Sequence, residues 1–387
     1  MNSGQQAEVA PKGNLTEIAG QFLRLGFIAF GGPAAHIALM EEEFVRRRAW
    51  LSRERFLDLV GAVSLLPGPS STELAIYLGQ MRGGLPGLIV AGAAFILPAA
   101  FLVVALAWAY LRFGSVPQVA GLLFGVKPVV VVLIAQAIWA LGKTALRTVS
   151  LAVLAAAIIV LSILAVPPLV LLIGAGVVWM VAKEIGARRS RGAAMLPILA
   201  GAASSSAAAI PIGVTPVFLY FLKVGAVLFG GGYVLLALLR ADLVVGLHWL
   251  TEAQLLDAIA VSQATPGPFF TVATFIGYLL GGWRGATLAT IGMFLPAFVF
   301  VAATAKFLPR LRQSKAASAF LDGVNAAAVA LMAFVGWQFA HAALLNAPAL
   351  AMAAVSAVLV FRYKVNSAWM ILGAALVGVL LGFLHWI

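Results

Sequence analysis

Two Pro-Gly-Pro triplets, Pro67-Gly68-Pro69 and Pro266-Gly267-Pro268, interrupt apolar sequence 199 positions apart. Proline removes a backbone donor and clashes with the preceding turn, so each triplet ends one helix. With Pro69 or Pro268 at the first helical position it also starts the next. A helix start presents unpaired N–H groups and the positive end of the helix dipole, which is chemistry suited to holding an anion. Ser70, Ser71 and Thr72 add three hydroxyls behind the first triplet, while Thr265 and Thr271 flank the second, with Phe269 and Phe270 between them. Glu73 comes next and is matched by Val272. A carboxylate there is either a proton carrier coupling an anion to a proton gradient or a favourable charge at a helix start. The bland alternative for a triplet is a structural kink. Two of them in register, one in each half, point instead to a transporter site.

Arg24 and Lys223 form a second pair at the same spacing, each within apolar sequence. A cation well inside a membrane costs several kcal/mol unless partnered, so the pair is a candidate counter-charge for an anion. Two helix starts contribute about half a charge each; with Arg24 and Lys223 they would suffice for a dianion. The alternative for Arg24 is snorkelling to the headgroups. Gly31-Gly32-Pro33 and Gly230-Gly231-Gly232 follow, and either unwind the first helix near the same site or pack it closely against a neighbour. Asp58 and Asp257 are also matched, and are expected to neutralise Arg24, Lys223 or loop arginines. Glu41, Glu42 and Glu43 read as a solvated interface. The four histidines, His36, His248, His341 and His385, have no metal-ligand spacing, and neither HExxH, GxSxG nor a Walker A sequence occurs. The expectation is no enzyme, no metal and no cofactor.

The elements that must position these residues come as two copies. Residues 22–33, FLRLGFIAFGGP, reappear as FLKVGAVLFGGG at 221–232, and the match runs through Trp50 and Trp249 to the triplets. It then continues one position shorter through Pro98 with Pro296, Gly125 with Gly323 and Trp139 with Trp337. The chain is 63% hydrophobic with only 10% charged residues, far below the roughly 25% of soluble domains, so most of it must lie in lipid. Its net charge of +12 sits in short clusters between apolar runs, as cytoplasmic loops require, and gives no folded surface for nucleic acid. The lack of cysteine excludes disulfides and thiol chemistry. The first 14 residues are polar and carry no signal-peptide core.

Apolar runs near 85–111, 117–142, 148–164, 167–182, 283–305, 318–341, 343–361 and 366–386 are expected to span, as are 15–44 and 214–240. Segments 54–66 and 70–82, on either side of the first triplet, are too short to cross alone. If they form a re-entrant hairpin, the Arg46–Arg48, Lys143/Arg147 and Lys183–Arg191 clusters all fall on the cytoplasmic side; a full crossing would put the last two outside. The predicted fold is therefore an all-α polytopic membrane protein of two inverted repeats. Each repeat has about five transmembrane helices plus a re-entrant Pro-Gly-Pro hairpin, with both termini outside. The divisions are a polar tail at 1–14, a first repeat at 15–185, a linker at 186–213 and a second repeat at 214–387.

The chain resembles the chromate transporter family in its long, duplicated form. The resemblance lies in Phe22, Gly26, Phe30 and Gly31-Gly32-Pro33, then Trp50-Leu51 and Pro67-Gly68-Pro69. It recurs in Phe221, Gly225, Phe229-Gly230-Gly231, Trp249-Leu250 and Pro266-Gly267-Pro268. It implies a multi-pass carrier of the bacterial inner membrane that exports chromate, driven by membrane potential or proton gradient and conferring chromate resistance. Sulfate, another tetrahedral dianion, is the competing substrate, and a passive anion channel is the competing mechanism. Lipid is the surrounding partner, and a homodimer is compatible with the reading. Gly232 stands where the first copy has Pro33, which puts equal contributions from the two copies in doubt.

Overall fold

The computed structural model describes residues 13–114, 116–189, 213–229, 232, 234–304 and 314–383, and every element among them is helical. Helix α1 (Leu15–Ile28) starts under an Asn14 cap whose side chain accepts from Thr16 N. It stops at Ala29, and Gly31 takes φ +101°. Pro33 then opens α2 (Pro33–Glu41), which widens into a π-helical turn, Glu42–Arg47.

The expected continuous span over 15–44 is therefore not formed. The chain turns back at the glycine pair instead: Glu17 meets Arg48 at 3.6 Å, the Phe22 and Phe44 rings lie 5.0 Å apart, and His36 reaches Ala29 O. Physically, α1 has 14 residues, about 21 Å of helix, short of the roughly 30 Å hydrocarbon core. The second copy repeats this. Helix α8 (Val214–Val227) is followed by α9 (Val234–Leu239) and a π-helical turn, Arg240–Gly246, with Lys223 paired to Asp242 at 3.9 Å. The expected span over 214–240 is broken in the same way, while Gly230 and Gly231 lie outside the described residues.

The triplets sit where helices end and begin. Helix α3 (Arg53–Val63) is capped by Ser52, and α4 (Ser70–Phe113) starts directly after Pro69. Helix α10 (Glu252–Ala264) has a Thr251/Gln254 capping box. A short 3-10 turn, Phe269–Thr271, then leads into α11 (Val272–Thr304). Neither α4 nor α11 runs straight. The chain reverses at Gly84, φ +65°, so that Gly79 packs on Gly87 and Ala91; in α11 it reverses around Gly282, with Gly277 against Gly285. Each copy thus holds two helical hairpins in succession.

The remaining helices are α5 (Pro117–Ala145), α6 (Val149–Ile163), α7 (Pro168–Arg189), α12 (Lys315–Ala343), α13 (Ala347–Phe361) and α14 (Ser367–Phe383). Among the described residues, five helical stretches are long and apolar enough to cross a membrane: Ser70–Phe113, Gly121–Ala145, Pro168–Ile185, Phe269–Thr304 and Lys315–Ala343. Large apolar side chains face outward along them, Trp139 and the equivalent Trp337 being 61% and 71% exposed.

Lipid tails are as apolar as leucine, so burial alone does not hold such helices together; close packing and hydrogen bonds do. The tightest seam is α5 on α14, antiparallel, with Gly121 against Gly378 and Gly125 against Ala374 O. Helix α5 also crosses its own counterpart α12 antiparallel, Gly142 lying by Val329 and Gly336 by Ile134 and Ile138. Gly125→Leu is expected to cut the yield of inserted, monodisperse protein severely, since the backbone of α14 leaves no room for it. Gly142→Ala, whose Cβ would meet nothing closer than 3.9 Å, should leave yield unchanged. Membrane fractionation with size-exclusion chromatography reads both.

The two ends of the bundle differ in charge. The Arg46–Arg48 turn, Arg53 and the Gly84 reversal share one end, because Gly13 N bonds Arg82 O and Arg82 contacts both Glu17 and the Trp50 ring. Following α4 to α7 through their turns brings Lys143, Arg147 and Lys183 to this end as well. Two expectations change here. The beginning of α1 lies at the basic end, beside Arg48 and Arg82, and not at the opposite end where a continuous first span would place it. Glu43 is not solvated either: it is 8% exposed and gathers Arg24, Arg47 and Arg48. The π-helical turn stacks residues five apart, which sets Glu43 under Arg48 at 2.7 Å. The linker assigned to 186–213 falls almost wholly outside the described residues.

Candidate transport site

The tips of the hairpins from the two copies meet and exchange hydrogen bonds. Gly68 N of the first triplet donates to Leu228 O at the end of α8, and Gly267 N of the second donates to Ala29 O at the end of α1, both at 2.8 Å. Ala29 and Leu228 are each 1% exposed; Leu228 O takes its hydrogen bond from the opposite copy, while Ala29 O accepts from the opposite copy and also from His36 Nε2 of its own. Only glycine fits either turn. Gly68 and Gly267 take φ +138° and +94°, and a Cβ would lie 2.7 Å from Glu73 Oε1 at the first and 2.6 Å from Ala99 Cβ at the second.

Around this junction the first copy is polar. Thr72 and Glu73 are fully buried and Ser71 is 3% exposed. Pro69 O takes the amides of Thr72 and Glu73, which leaves the Ser70 and Ser71 amides to the four orphan donors of a helix start. The hydroxyl of Thr72 and both carboxyl oxygens of Glu73 find no hydrogen-bond partner among the described residues. Buried polar atoms of this kind call for a partner, such as an ordered water, an ion or a ligand. His36 completes the group: Nδ1 lies 3.2 Å from Ser71 Oγ, Nε2 lies 3.1 Å from Ala29 O, and the ring stands edge-on to Phe95. Ser70, Pro67, Gly31 and Gly32 are partly exposed beside it.

The second copy is apolar at the matching places. Phe269 and Phe270 replace Ser70 and Ser71, Val272 replaces Glu73, and Leu235 replaces His36; all are buried. The Thr271 hydroxyl is taken by Pro268 O and that of Thr265 by Ser262 O. Ser262 Oγ and Gln263 Nε2, just ahead of the triplet, are buried without partners among the described residues.

Arg24 and Lys223 are not drawn into the tips. Their side chains are 55% and 58% exposed, and each pairs with the matched acid on the returning limb of its own hairpin, Glu43 at 3.7 Å and Asp242 at 3.9 Å. A third matched pair is kept with its polarity reversed: Arg53 with Glu41, and Glu252 with Arg240. Asp257 meets neither Lys223 nor a loop arginine but Lys127 of α5 at 3.1 Å and the Tyr110 hydroxyl at 3.0 Å. Lys223, Arg240, Asp242 and Gln338 line a cavity of about 1130 Å³ under the α6–α7 turn, reaching inward to Val227 beside the α8 tip. Among the described residues no cluster of His, Asp and Glu is arranged to hold a metal.

The profile of the chromate transporter family matches this chain twice, over residues 16–180 and 215–379. The chain belongs to the chromate transporter family. It is 32% identical to the chromate transport protein of Cupriavidus metallidurans, over 95% of this chain and 94% of that one. It is 33% identical to the chromate transport protein of Pseudomonas aeruginosa, over 96% and 93%. It is 30% identical to the probable chromate transport protein of Synechococcus elongatus, over 86% of each. No solved structure matches it.

For this chromate transporter family member, the two matched regions each contain one broken first helix and one triplet, so the tip junction is built from the parts the family profile covers twice. What spacing alone missed is His36. The signal was present: three residues after Pro33, an ionisable side chain on the second limb of a broken helix is matched by leucine. Lys127 was missed because α5 bears no other charge near it and its partner is 130 positions away.

Proposed function

We propose that this chain exports tetrahedral oxyanions, chromate foremost, from the cytoplasm across a bacterial inner membrane, and so confers chromate resistance. The observation that carries the reading is the exchanged pair of tip hydrogen bonds set beside an unsatisfied hydroxyl and carboxyl. In this reading the hairpins are re-entrant, and the copies, 15–185 and 214–387, are inverted so that their hairpins dip in from opposite faces. The antiparallel crossing of α5 and α12 supports inversion. The basic end faces the cytoplasm, as the positive-inside bias requires.

The anion sits between the copies against the helix starts after Pro69 and Pro268. The amides and hydroxyls of Ser70 and Ser71 and the hydroxyl of Thr72 hold it in the first copy. Gly31, Gly32 and the start at Thr271 supply backbone around it. Glu73 takes up and gives back a proton, tying anion movement to the proton gradient. Arg24 on one approach and Lys223 in the cavity on the other raise the local anion concentration. Rocking of one copy against the other remakes the exchanged tip contacts and alternates access.

Chromate uptake into everted vesicles tests the reading, with sulfate as competitor and with an uncoupler. Uptake against the electrochemical gradient supports a carrier. Flux that never exceeds the gradient, and ignores the uncoupler at fixed voltage, would establish a passive channel instead. Arg24→Ala and Lys223→Ala are each expected to lower chromate flux on the order of tenfold through lost steering. Protein in the membrane should be unchanged, because exposed ion pairs contribute only about 0–1 kcal/mol. Unaltered flux in both variants removes these cations from the path.

A further inference from the structure

Chemistry fixes the direction of one hydrogen bond at the first copy's tip. Ala29 O is a carbonyl and only accepts, so His36 Nε2, 3.1 Å away, is the donor. A neutral imidazole protonated at Nε2 has only a lone pair at Nδ1, which lies 3.2 Å from Ser71 Oγ. The serine hydrogen then points at the histidine, and Ser71 offers the start of α4 its oxygen lone pairs, which an anion does not want. A second proton on the ring reverses this. Nδ1–H donates to Ser71 Oγ, and the serine hydrogen is released to point elsewhere. Both states use the same heavy-atom positions, so no rearrangement is needed to pass between them.

We infer that His36 is a positioning residue through which a proton turns the Ser71 hydroxyl from an acceptor into a donor and thereby strengthens the hold on an oxyanion. The inference rests on the transport reading above and adds a second proton-binding group to the site, besides Glu73. His36 is 1% and Ser71 3% exposed, so water does not compete for either hydrogen bond. The same burial resists a second proton on the ring, so the switch works on the acid side, where a bound anion partners the added charge. The other ionisable groups on the elements packed against His36 are placed as follows. Glu73 shares the first turn of α4 with Ser71, and Tyr77 lies one turn further. Asp58 is on α3. Arg24 is held by Glu43, Arg46 and Arg47 by Glu42, Arg48 by Glu43, Arg53 by Glu41, Arg82 by Glu17 and Tyr110 by Asp257. Glu54, Arg55 and Arg112 stand at helix ends. The second copy has Leu235 and Phe270 at the equivalent positions, so the switch belongs to one repeat.

The test is chromate affinity of the purified full chain between about pH 4 and 7, since burial moves a histidine's change of charge below its ordinary range. It is read as the ratio of wild type to Ser71→Ala, in which the anion's own titration cancels. The ratio is expected to grow about tenfold toward the acid side, the worth of one hydrogen bond to a charged group. In a His36→Gln background, where the amide can still donate to Ala29 O, the same ratio should be flat. A wild-type ratio that does not move with pH overturns the inference, and so does a pH-dependent ratio that survives His36→Gln. If His36→Gln does not fold, the wild-type ratio alone decides. Wild-type protein that binds no chromate at any pH sinks the transport reading itself, a result distinct from a flat ratio in a protein that binds.

Discussion

Gly267→Ala is expected to abolish chromate uptake while the chain still reaches the membrane. The residue sits at φ +94°, where an L side chain is strained, and its Cβ would fall 2.6 Å from that of Ala99. Strain of about 1–3 kcal/mol and overpacking of about 1–3 kcal/mol act together on one turn. The turn also donates to Ala29 O, so displacing it leaves the Gly267 amide without its acceptor and disturbs the carbonyl that His36 also holds. A loss of 100-fold or more, roughly 2.7 kcal/mol or above, follows if the tip must re-form in every cycle. Gly373→Ala, where nothing lies within 4 Å, is the control and should transport normally. Uptake by Gly267→Ala at wild-type rate would mean that the exchanged contacts are not remade during transport.

Glu73→Gln should separate movement from coupling. The substitution keeps the shape of a side chain that is packed against the Gly68 turn, and removes the group that binds a proton. Chromate should still equilibrate across the vesicle membrane, but an imposed pH gradient should no longer drive accumulation. With one proton per turnover, wild type gains about tenfold in accumulation for each pH unit, equal to about 1.4 kcal/mol. The variant should gain none. If Glu73→Gln accumulates chromate like wild type, Glu73 is only a helix-start charge and the proton travels elsewhere.

The sequence made the breaks legible and left their consequence open. Proline and glycine act within a few residues, so Gly31-Gly32-Pro33 and both triplets could be located from spacing alone, and α4 does begin at Ser70. Whether a break bends a helix or turns it back depends on what the second limb packs against. For α1 that is Phe44, Arg48 and His36 meeting Phe22, Glu17 and Ala29, contacts that apolar runs do not encode. The same holds for the charges. Arg24 and Lys223 were visible as a matched pair, and Glu43 and Asp242 are matched at the same spacing. Reading the two pairs together would have neutralised the cations before a structure was seen. The reversals at Gly84 and Gly282 fall at junctions that the segment bounds imply, between 70–82 and 85–111 and just ahead of 283–305.

Because Ala29 and Leu228 are each completed by an amide from the other half, neither half is a finished object. A polypeptide cut between the two copies would leave the Gly68 and Gly267 amides and the Leu228 carbonyl bare, a penalty of several kcal/mol for each in hydrocarbon. The halves would then be obliged to find a mate that supplies those partners. Fusion into one chain fixes that stoichiometry at one to one, and it also frees each half to lose what the other keeps. The histidine, the serines and the carboxylate of one half facing leucine, phenylalanine and valine in the other are what such a division of labour leaves behind.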